Sequence, residues 1–149
     1  MSYYVFTIEE IKKIINKQHI DSLSKTDSTG INILIYMIKN IIFFNKSEIE
    51  FVIQHTPNLN FETKDFKTAM HFCIDNYNNK DDKYFNTIKL LHKYNININY
   101  LDKYGDNYLL YTLKYNKSDN IFDLIDLLLY FKINIKILNK NDESALHLL

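Results

Sequence analysis

Apolar residues recur along this chain with helical spacing, in segments separated by short polar breaks. In three segments the side chains expected to face a core lie at positions i, i+3 and i+4, on one face of a helix. These sets are Ile49, Val52 and Ile53; Ile88, Leu91 and His92; and Ile125, Leu128 and Leu129. The breaks are rich in Asn, Asp and Ser, which interrupt helices by bonding their own backbone. They lie at residues 45–47, 76–82 and 116–120. The pattern predicts pairs of helices.

Three further local signals refine this prediction. Residues 7–18 read as a single amphipathic helix that caps the N-terminal end of the stack. Ser47 and Glu50 have the spacing of a capping box that opens the next helix. Apolar and polar residues alternate after each second helix, which predicts a short strand or hairpin arm. These arms are expected at residues 58–60, 97–99 and 134–136.

A four-residue motif precedes each first helix. It reads Asp-x-x-Gly at residues 27–30 and 102–105, and degraded copies stand at residues 63–66 and 139–142. The fourth positions of successive copies are 36, 39 and 37 residues apart. A period in this range indicates stacked repeats, in which each unit buries its apolar face on the next. Repeat stacks mostly present surfaces for binding.

Composition narrows the class of protein. The 149 residues suffice for one domain with a substantial core, and 46% of them are apolar. Eighteen lysines balance eighteen acidic residues and arginine is absent, which argues against nucleic-acid binding. The chain has a single cysteine, its N-terminus becomes charged too early for a secretory signal, and its apolar runs are too short for a membrane span. These features favour a soluble, intracellular protein without a membrane partner.

The candidate catalytic residues form no recognisable motif. The five histidines and Cys73 show no spacing typical of a zinc site, and no Gly-rich phosphate loop is present. Nothing near Cys73 would lower its pKa, which favours a buried structural thiol. We therefore expect no enzyme activity, no cofactor and no metal.

The segments around the motif resemble the ankyrin repeat. Residues 67–73 (Lys-Thr-Ala-Met-His-Phe-Cys) and 143–149 look like the first-helix signature of that family. Residues 49–60, 88–99 and 125–136 look like its second half. The resemblance implies an all-α ankyrin-repeat solenoid of helix-turn-helix units joined by short β-hairpin loops. About three full repeats are flanked by an N-terminal helix and a C-terminal half repeat. The implied boundaries are 1–24, 25–61, 62–100, 101–137 and 138–149.

The chain also departs from the family pattern. The usual period is about 33 residues, and the extra residues here fall between the two helices of each unit. The Gly that normally follows the second helix is replaced by Thr56, Asn95 and Lys132. Such long, degenerate repeats are similar to those of poxviruses and other large DNA viruses, and they also occur in eukaryotes with AT-rich genomes. The resemblance implies a non-enzymatic protein-binding scaffold in the cytoplasm. If the chain is viral, it implies the cytoplasm of the host and the role of a host-range or immune-evasion factor.

By the same resemblance, a protein partner binds the hairpin tips and the exposed turn of each first helix. The implied binding residues are Ser28, Thr29, Lys39, Lys64, Asp65, Asp75, Lys103, Tyr104, Asp106, Lys114, Tyr115, Lys140 and Asn141. Neighbouring positions in the same rows are Ile31, Asn40, Lys67, Asn76 and Glu143. Tyr104 is expected to be an exposed aromatic anchor. The lysines and tyrosines of the third unit suggest an acidic, partly apolar partner surface.

The resemblance assigns other residues to structural roles and leaves two alternatives open. His71 and His147 would hydrogen-bond and brace the neighbouring hairpin. As a first alternative, the chain is a fragment or assembly module of a longer ankyrin protein, which continues into further repeats or self-associates at its C-terminal end. As a second, it is a hydroxylation substrate at Asn60 and Asn99.

Overall fold

The computed structural model describes residues 3–148, and this part of the chain is all-α. Two short 3₁₀ helices, Ile20–Ser24 and Ile41–Phe43, accompany the α-helices. The α-helices are α1 (Ile8–Asn16), α2 (Ile33–Lys39), α3 (Lys46–His55), α4 (Ala69–Asn76), α5 (Lys83–Lys93), α6 (Tyr108–Tyr115), α7 (Phe122–Tyr130) and α8 (Ala145–Leu148). None of the helices between residues 3 and 148 has the length and apolar composition needed to cross a membrane.

The helices pack in two rows. In the first row α2, α4, α6 and α8 contact one another in sequence, and in the second row α1 contacts α3 and α3 contacts α5. Within each unit the two helices pack together, as α2 with α3, α4 with α5 and α6 with α7. At the end of the second row, the ring of His92 stacks on Phe131 with a centroid distance of 3.8 Å. A continuous core of buried apolar residues fills the space between the rows.

Side chains that accept backbone hydrogen bonds cap the starts of α1, α2, α3 and α6. The predicted capping box at Ser47 and Glu50 is wrong, because α3 begins at Lys46. The box is formed instead by Asn45, whose Oδ1 accepts from the Glu48 backbone N–H at 2.8 Å. The carboxylate of Glu48 accepts from the Asn45 N–H at 2.9 Å. Ser47 lies inside the helix, and its hydroxyl donates to the Asn45 side chain.

Four equivalent turns precede the helices of the first row. We call them turn I (residues 27–31), turn II (63–67), turn III (102–106) and turn IV (139–143). In each, the N–H of the first residue donates to the C=O of the fifth, and the N–H of the fourth donates to the C=O of the first. The side-chain oxygen of the first residue accepts from the N–H of the third, in the pairs Asp27–Thr29, Thr63–Asp65, Asp102–Tyr104 and Asn139–Asn141. Asp, Thr and Asn all supply this acceptor, so the degraded motifs keep the turn.

The fourth residue of every turn has a left-handed backbone. Its φ angle is +85° at Gly30 and +79° at Gly105, and it is +62° at Phe66 and +59° at Asp142. Glycine adopts this region without strain, and Asp and Asn tolerate it better than other residues such as Phe. At Gly105 a second constraint applies, because an added Cβ would lie 3.1 Å from the backbone nitrogen of Lys140.

The ends of the second helices use the same conformation without glycine. Asn95 and Lys132, at two of the positions where Gly was expected, have φ angles of +68° and +63°. Thr56 differs, with an extended backbone at φ −77°. It precedes Pro57, and a residue before proline is biased towards extended conformations.

Strands predicted after the second helices are absent from residues 3–148, where the only β-pairings are the isolated bridges Thr26–Asn32 and Asn78–Asp81. The predicted arms are turns, because Asn side chains satisfy the backbone locally. The Oδ1 atoms of Asn58, Asn97 and Asn134 each accept from the N–H two residues later. Asn60 and Asn99 reach across to the next unit instead. Their Oδ1 atoms accept from the N–H groups of Asn97 at 3.0 Å and Asn134 at 3.2 Å.

Candidate partner-binding groove

A cavity of about 330 Å³ opens between turns II and III, beside α4 and α6. Four aromatic side chains form its walls, and we call it the aromatic groove: Phe66, Tyr104, Tyr111 and Tyr115. Phe66, Tyr104 and Tyr115 are 48%, 50% and 48% exposed, whereas Tyr111 is buried. The rest of the lining comes from Asp65, Lys67, His71, Asp75, Asp102 and Lys103. Large rings that remain half exposed in a concave site are typical of binding anchors.

Two lysines cover faces of these rings. The Nζ atom of Lys103 lies 4.8 Å from the centroid of Phe66 and 5.1 Å from that of Tyr104. The Nζ atom of Lys114 lies 5.6 Å from the centroid of Tyr115 and 5.9 Å from that of Tyr104. These distances allow cation–π attraction, which holds flexible lysine side chains beside the rings. The groove therefore presents apolar rings beside both lysine ammonium groups and the carboxylates of Asp65, Asp75 and Asp102.

The carboxylate of Asp75 is fully engaged at one end of the groove. Its Oδ1 accepts from the Tyr111 hydroxyl at 2.7 Å, and its Oδ2 pairs with the Lys67 ammonium at 2.9 Å. Burial and the hydrogen bond to Asp75 raise the pKa of Tyr111 well above its usual range. Tyr111 is therefore a neutral donor that fixes Asp75, and Lys67 balances the remaining charge.

Asp106 was expected on the binding surface, and this expectation is wrong. It is completely buried, where it accepts from Lys114 Nζ at 2.9 Å and from Asn139 Nδ2 at 2.8 Å. The hydrogen bond to Asp106 is the main cause of the raised pKa of Lys114. Ile31, another expected surface residue, is also buried. Both are the fifth residue of their turn, next to the start of the helix, where the chain enters the core.

The role expected for His71 also differs in the structure. Its Nδ1 accepts from the backbone N–H of Thr68 at 2.9 Å, so the ring braces the start of its own helix. His147 makes the same contact with Ser144. Among residues 3–148 the buried Nε2 of His71 has no hydrogen-bond partner. Burial lowers the pKa of His71 to about 4, and because Nδ1 is an acceptor, the neutral ring carries its proton on Nε2.

The buried hydroxyl of Tyr108 supplies the bracing between units that was expected of the histidine. It accepts from the Asn60 side-chain amide at 2.7 Å and lies 2.9 Å from Thr68 Oγ1. Cys73 is fully buried, as the sequence predicted, and burial raises the pKa of its thiol. Within the described part of the chain, no three His, Cys, Asp or Glu side chains are grouped closely enough to hold a metal ion.

The remaining residues proposed for binding divide into two sets. The first set lies at the aromatic groove: Asp65, Asp75, Lys103, Tyr104, Lys114 and Tyr115. Five of these residues line the groove, and the Lys114 ammonium lies over the rings of Tyr104 and Tyr115. The second is exposed but lies outside that lining: Ser28, Thr29, Lys39, Lys64, Lys140 and Asn141. All but Lys39 of the second set lie in turns I, II and IV, so they extend the row of turns on both sides of the groove.

Sequence reasoning missed two walls of the groove. Phe66 stands at the fourth position of turn II, where two other turns have glycine, and an aromatic residue at that position was the available signal. Tyr111 lies one helical turn before Tyr115 on α6, and the two ring centroids are 4.8 Å apart. Helical spacing from Tyr115 would have indicated it.

No model of a known protein family matches the chain, and no curated protein matches its sequence. The function of the groove must therefore be inferred from its own residues.

Proposed function

We propose that this chain is a non-enzymatic, protein-binding repeat scaffold of the ankyrin type. The four turns are its hairpin tips, and the aromatic groove is the centre of its binding surface. The observation that carries the proposal is the exposure of Phe66, Tyr104 and Tyr115 in one concave site. Each half-exposed ring would gain free energy by leaving water when a partner covers it.

The shape of the site supports a macromolecular partner. The exposed binding candidates continue beyond the cavity along turns I and IV, so the surface is longer than a pocket for one small molecule. Interfaces of proteins combine a few aromatic anchors with a polar rim that excludes water. In this chain Phe66, Tyr104 and Tyr115 supply the anchors. The exposed side chains of the turns, including Lys64 and Lys140, supply the rim.

The proposal is tested by selecting ligands from a random peptide display library on the purified chain. Affinities of the selected peptides are then measured by fluorescence anisotropy. The variant Tyr104→Ala/Tyr115→Ala removes two anchors that contribute little to the core. We expect its affinity to be at least about tenfold weaker, which corresponds to truncation of two interface anchors.

A matched control removes exposed aromatic rings from another surface. Phe122 and Tyr130 on α7 are exposed and do not line the groove. The variant Phe122→Ala/Tyr130→Ala is expected to bind the selected peptides as tightly as the unaltered chain does. Circular dichroism melting curves of both variants check that the fold is retained. Equal binding by the groove variant and the unaltered chain, or no enrichment of any peptide, would overturn the proposal.

A further inference from the structure

One buried polar group at the aromatic groove has no partner in the described part of the chain. His71 belongs to the lining of the groove and is 1% exposed. Its Nδ1 accepts from the Thr68 N–H, so the neutral ring carries its proton on Nε2. Between residues 3 and 148 this Nε2–H finds no acceptor. A buried donor without a partner is costly, because it has given up its hydrogen bonds to water.

The unpaired edge of the His71 ring faces the third unit. Nδ1 is turned to the start of α4, and the rings of Tyr100, Tyr108 and Tyr111 lie around the rest of the imidazole, with centroids within 5.8 Å. The hydroxyls of all three tyrosines are bonded to other residues. Since Tyr111 and His71 both line the groove, the acceptor that this N–H lacks has an entry path through the cavity.

The same cavity also offers an acceptor. Asp102 is half-buried and accepts from the backbone N–H groups of Tyr104 and Asp106, in both cases through Oδ1. These two bonds leave Oδ2 available. Burial raises the pKa of Asp102, so the bonds at Oδ1 offset only part of the cost of taking this carboxylate out of water. The groove therefore combines one donor, His71 Nε2–H, with one acceptor, Asp102 Oδ2.

The charges around the groove favour a neutral ligand. Its lining carries three carboxylates and two ammonium groups: Asp65, Asp75, Asp102, Lys67 and Lys103. Lys67 pairs with Asp75, which leaves two carboxylates beside one ammonium group. A carboxylate of the ligand would be repelled by Asp65 and Asp102. A cation of the ligand would compete with the Lys103 ammonium, which already lies over the rings of Phe66 and Tyr104.

We propose that the groove binds the side-chain carboxamide of an Asn or Gln residue of the protein partner. The carbonyl oxygen accepts from His71 Nε2–H, the NH₂ group donates to Asp102 Oδ2, and the planar amide lies against the rings of Tyr104 and Tyr115. A cavity of about 330 Å³ has room for one such side chain. This inference rests on the function proposed above and adds the chemistry of the partner residue.

Peptides selected from the random display library give the first test. We expect each tight-binding family to contain an Asn or Gln whose replacement by Leu or Met weakens binding about tenfold, as expected when a buried hydrogen bond is lost. Replacement of the same residue by Asp or Glu should weaken binding at least as much, because the new charge would face Asp65 and Asp102. Tight binding that does not depend on a carboxamide would overturn the inference.

A variant of the chain gives the second test. His71→Leu removes the donor, and Leu110 shows that the first-row helices accept leucine at this position. His147→Leu is the matched control, because His147 makes the same contact with the Ser144 N–H and lies outside the lining. We expect His71→Leu to bind the selected peptide about tenfold more weakly and the Leu-substituted peptide no more weakly than the unaltered chain does. The control should bind both peptides normally.

Nuclear magnetic resonance of the unaltered chain gives a readout that does not depend on the folding of a variant. The proton on His71 Nε2 should move downfield when the selected peptide binds. It should keep its position when the Leu-substituted peptide is added at a concentration that saturates the groove. An unchanged resonance in the complex with the selected peptide would overturn the inference.

The outcomes separate this inference from the proposed function. Peptides that need Tyr104 and Tyr115 but neither His71 nor a carboxamide would overturn the inference and leave the scaffold function standing. A single-stranded oligonucleotide that binds through the groove when no peptide binds would overturn both, since the edges of nucleobases also carry neighbouring C=O and N–H groups. Peptides that need the rings, His71 and the carboxamide together would support both.

Discussion

The hydroxyl of Tyr108 and the side-chain amide of Asn60 are joined by a 2.7 Å hydrogen bond across 48 residues of sequence. The bond is partly buried and links α6 to the loop after α3. Thr68 Oγ1 lies within hydrogen-bond distance of the same hydroxyl oxygen, at 2.9 Å. One side chain of the third unit therefore holds together polar groups of the two units before it.

Replacement of Tyr108 by Phe tests this link. The variant keeps the ring and leaves the Asn60 amide and the Thr68 hydroxyl without this partner, so we expect a loss of about 1–3 kcal/mol in the free energy of unfolding. Tyr77→Phe is the control, because the buried Tyr77 makes only a 3.4 Å bond to the Asn120 carbonyl. Urea denaturation of both variants measures the difference. Equal losses in the free energy of unfolding would show that the Tyr108 hydroxyl contributes no more to stability than the Tyr77 hydroxyl.

The buried carboxylate of Asp106 is expected to matter more than exposed ion pairs. Asp106→Ala leaves the partly buried Lys114 ammonium without its carboxylate and removes one of the two acceptors of the Asn139 amide, and the expected loss is about 3 kcal/mol. Glu50→Ala breaks the Lys93–Glu50 pair, in which the Lys93 side chain is exposed and the Glu50 side chain is partly exposed, so the expected loss is much smaller. Chemical denaturation at neutral pH compares them. A loss at Asp106 no larger than at Glu50 would contradict its buried role.

Gly105 and Gly30 should respond differently to an added methyl group. Both have positive φ, which costs about 1 kcal/mol for alanine. At Gly105 the Cβ also meets the Lys140 backbone, whereas at Gly30 it meets only the flexible Lys64 side chain. We expect Gly105→Ala to destabilise the chain by about 2–3 kcal/mol and Gly30→Ala by about 1 kcal/mol. Thermal melting measures both, and a reversed order would contradict the close approach of turns III and IV.

His71 should make stability depend on pH. Its pKa is lowered from 6.5 to about 4 in the folded chain, chiefly by burial, with smaller effects from Asp75, Lys67 and Asp106. The unfolded chain therefore binds more protons between these values, and stability falls as pH drops below about 6.5. The expected contribution between pH 7 and pH 5 is about 2 kcal/mol.

The control for this pH effect is His71→Leu, since Leu110 occupies the same position in the third unit. This variant should be less stable at neutral pH, because the Thr68 N–H loses its acceptor. Its stability should nevertheless change less between pH 7 and pH 5 than that of the unaltered chain. Urea titrations at both pH values provide the comparison, and parallel changes in the two proteins would rule out His71 as the titrating group.

Much of the helical architecture could be predicted from sequence because helix periodicity and polar breaks are local signals. The predicted breaks at residues 76–82 and 116–120 agree with the ends of α4 and α6 and the starts of α5 and α7. The lone helix expected at residues 7–18 forms as Ile8–Asn16, with the Thr7 side chain accepting from Glu10. Each of these outcomes depends on neighbours within a few residues.

Features that depend on an adjacent unit could not be predicted in the same way. From sequence, Asp106 is interpreted as a surface charge. Its burial depends on contacts with Lys114 and Asn139, which the sequence does not show. The alternation of apolar and polar residues at 97–99 suggests a strand. In the structure, however, the Asn60 side chain of the preceding unit accepts a hydrogen bond from the Asn97 N–H. Phe66 looks like core filler, and its exposure follows from a left-handed turn whose sequence lacks glycine.

The turns have a consequence for how this sequence can change. Their hydrogen bonds depend on a side-chain oxygen at the first position, which Asp, Thr and Asn all provide, and the fourth position needs only to accept a strained backbone. Where no neighbouring backbone approaches the fourth position, a substitution there can therefore add a new exposed side chain at a cost of about 1 kcal/mol without rebuilding the loop; Gly105 is excluded by the Lys140 backbone. Turn II has such a side chain in Phe66. Turns I, II and IV are in this sense sites where binding specificity can diversify while the stack beneath them stays the same.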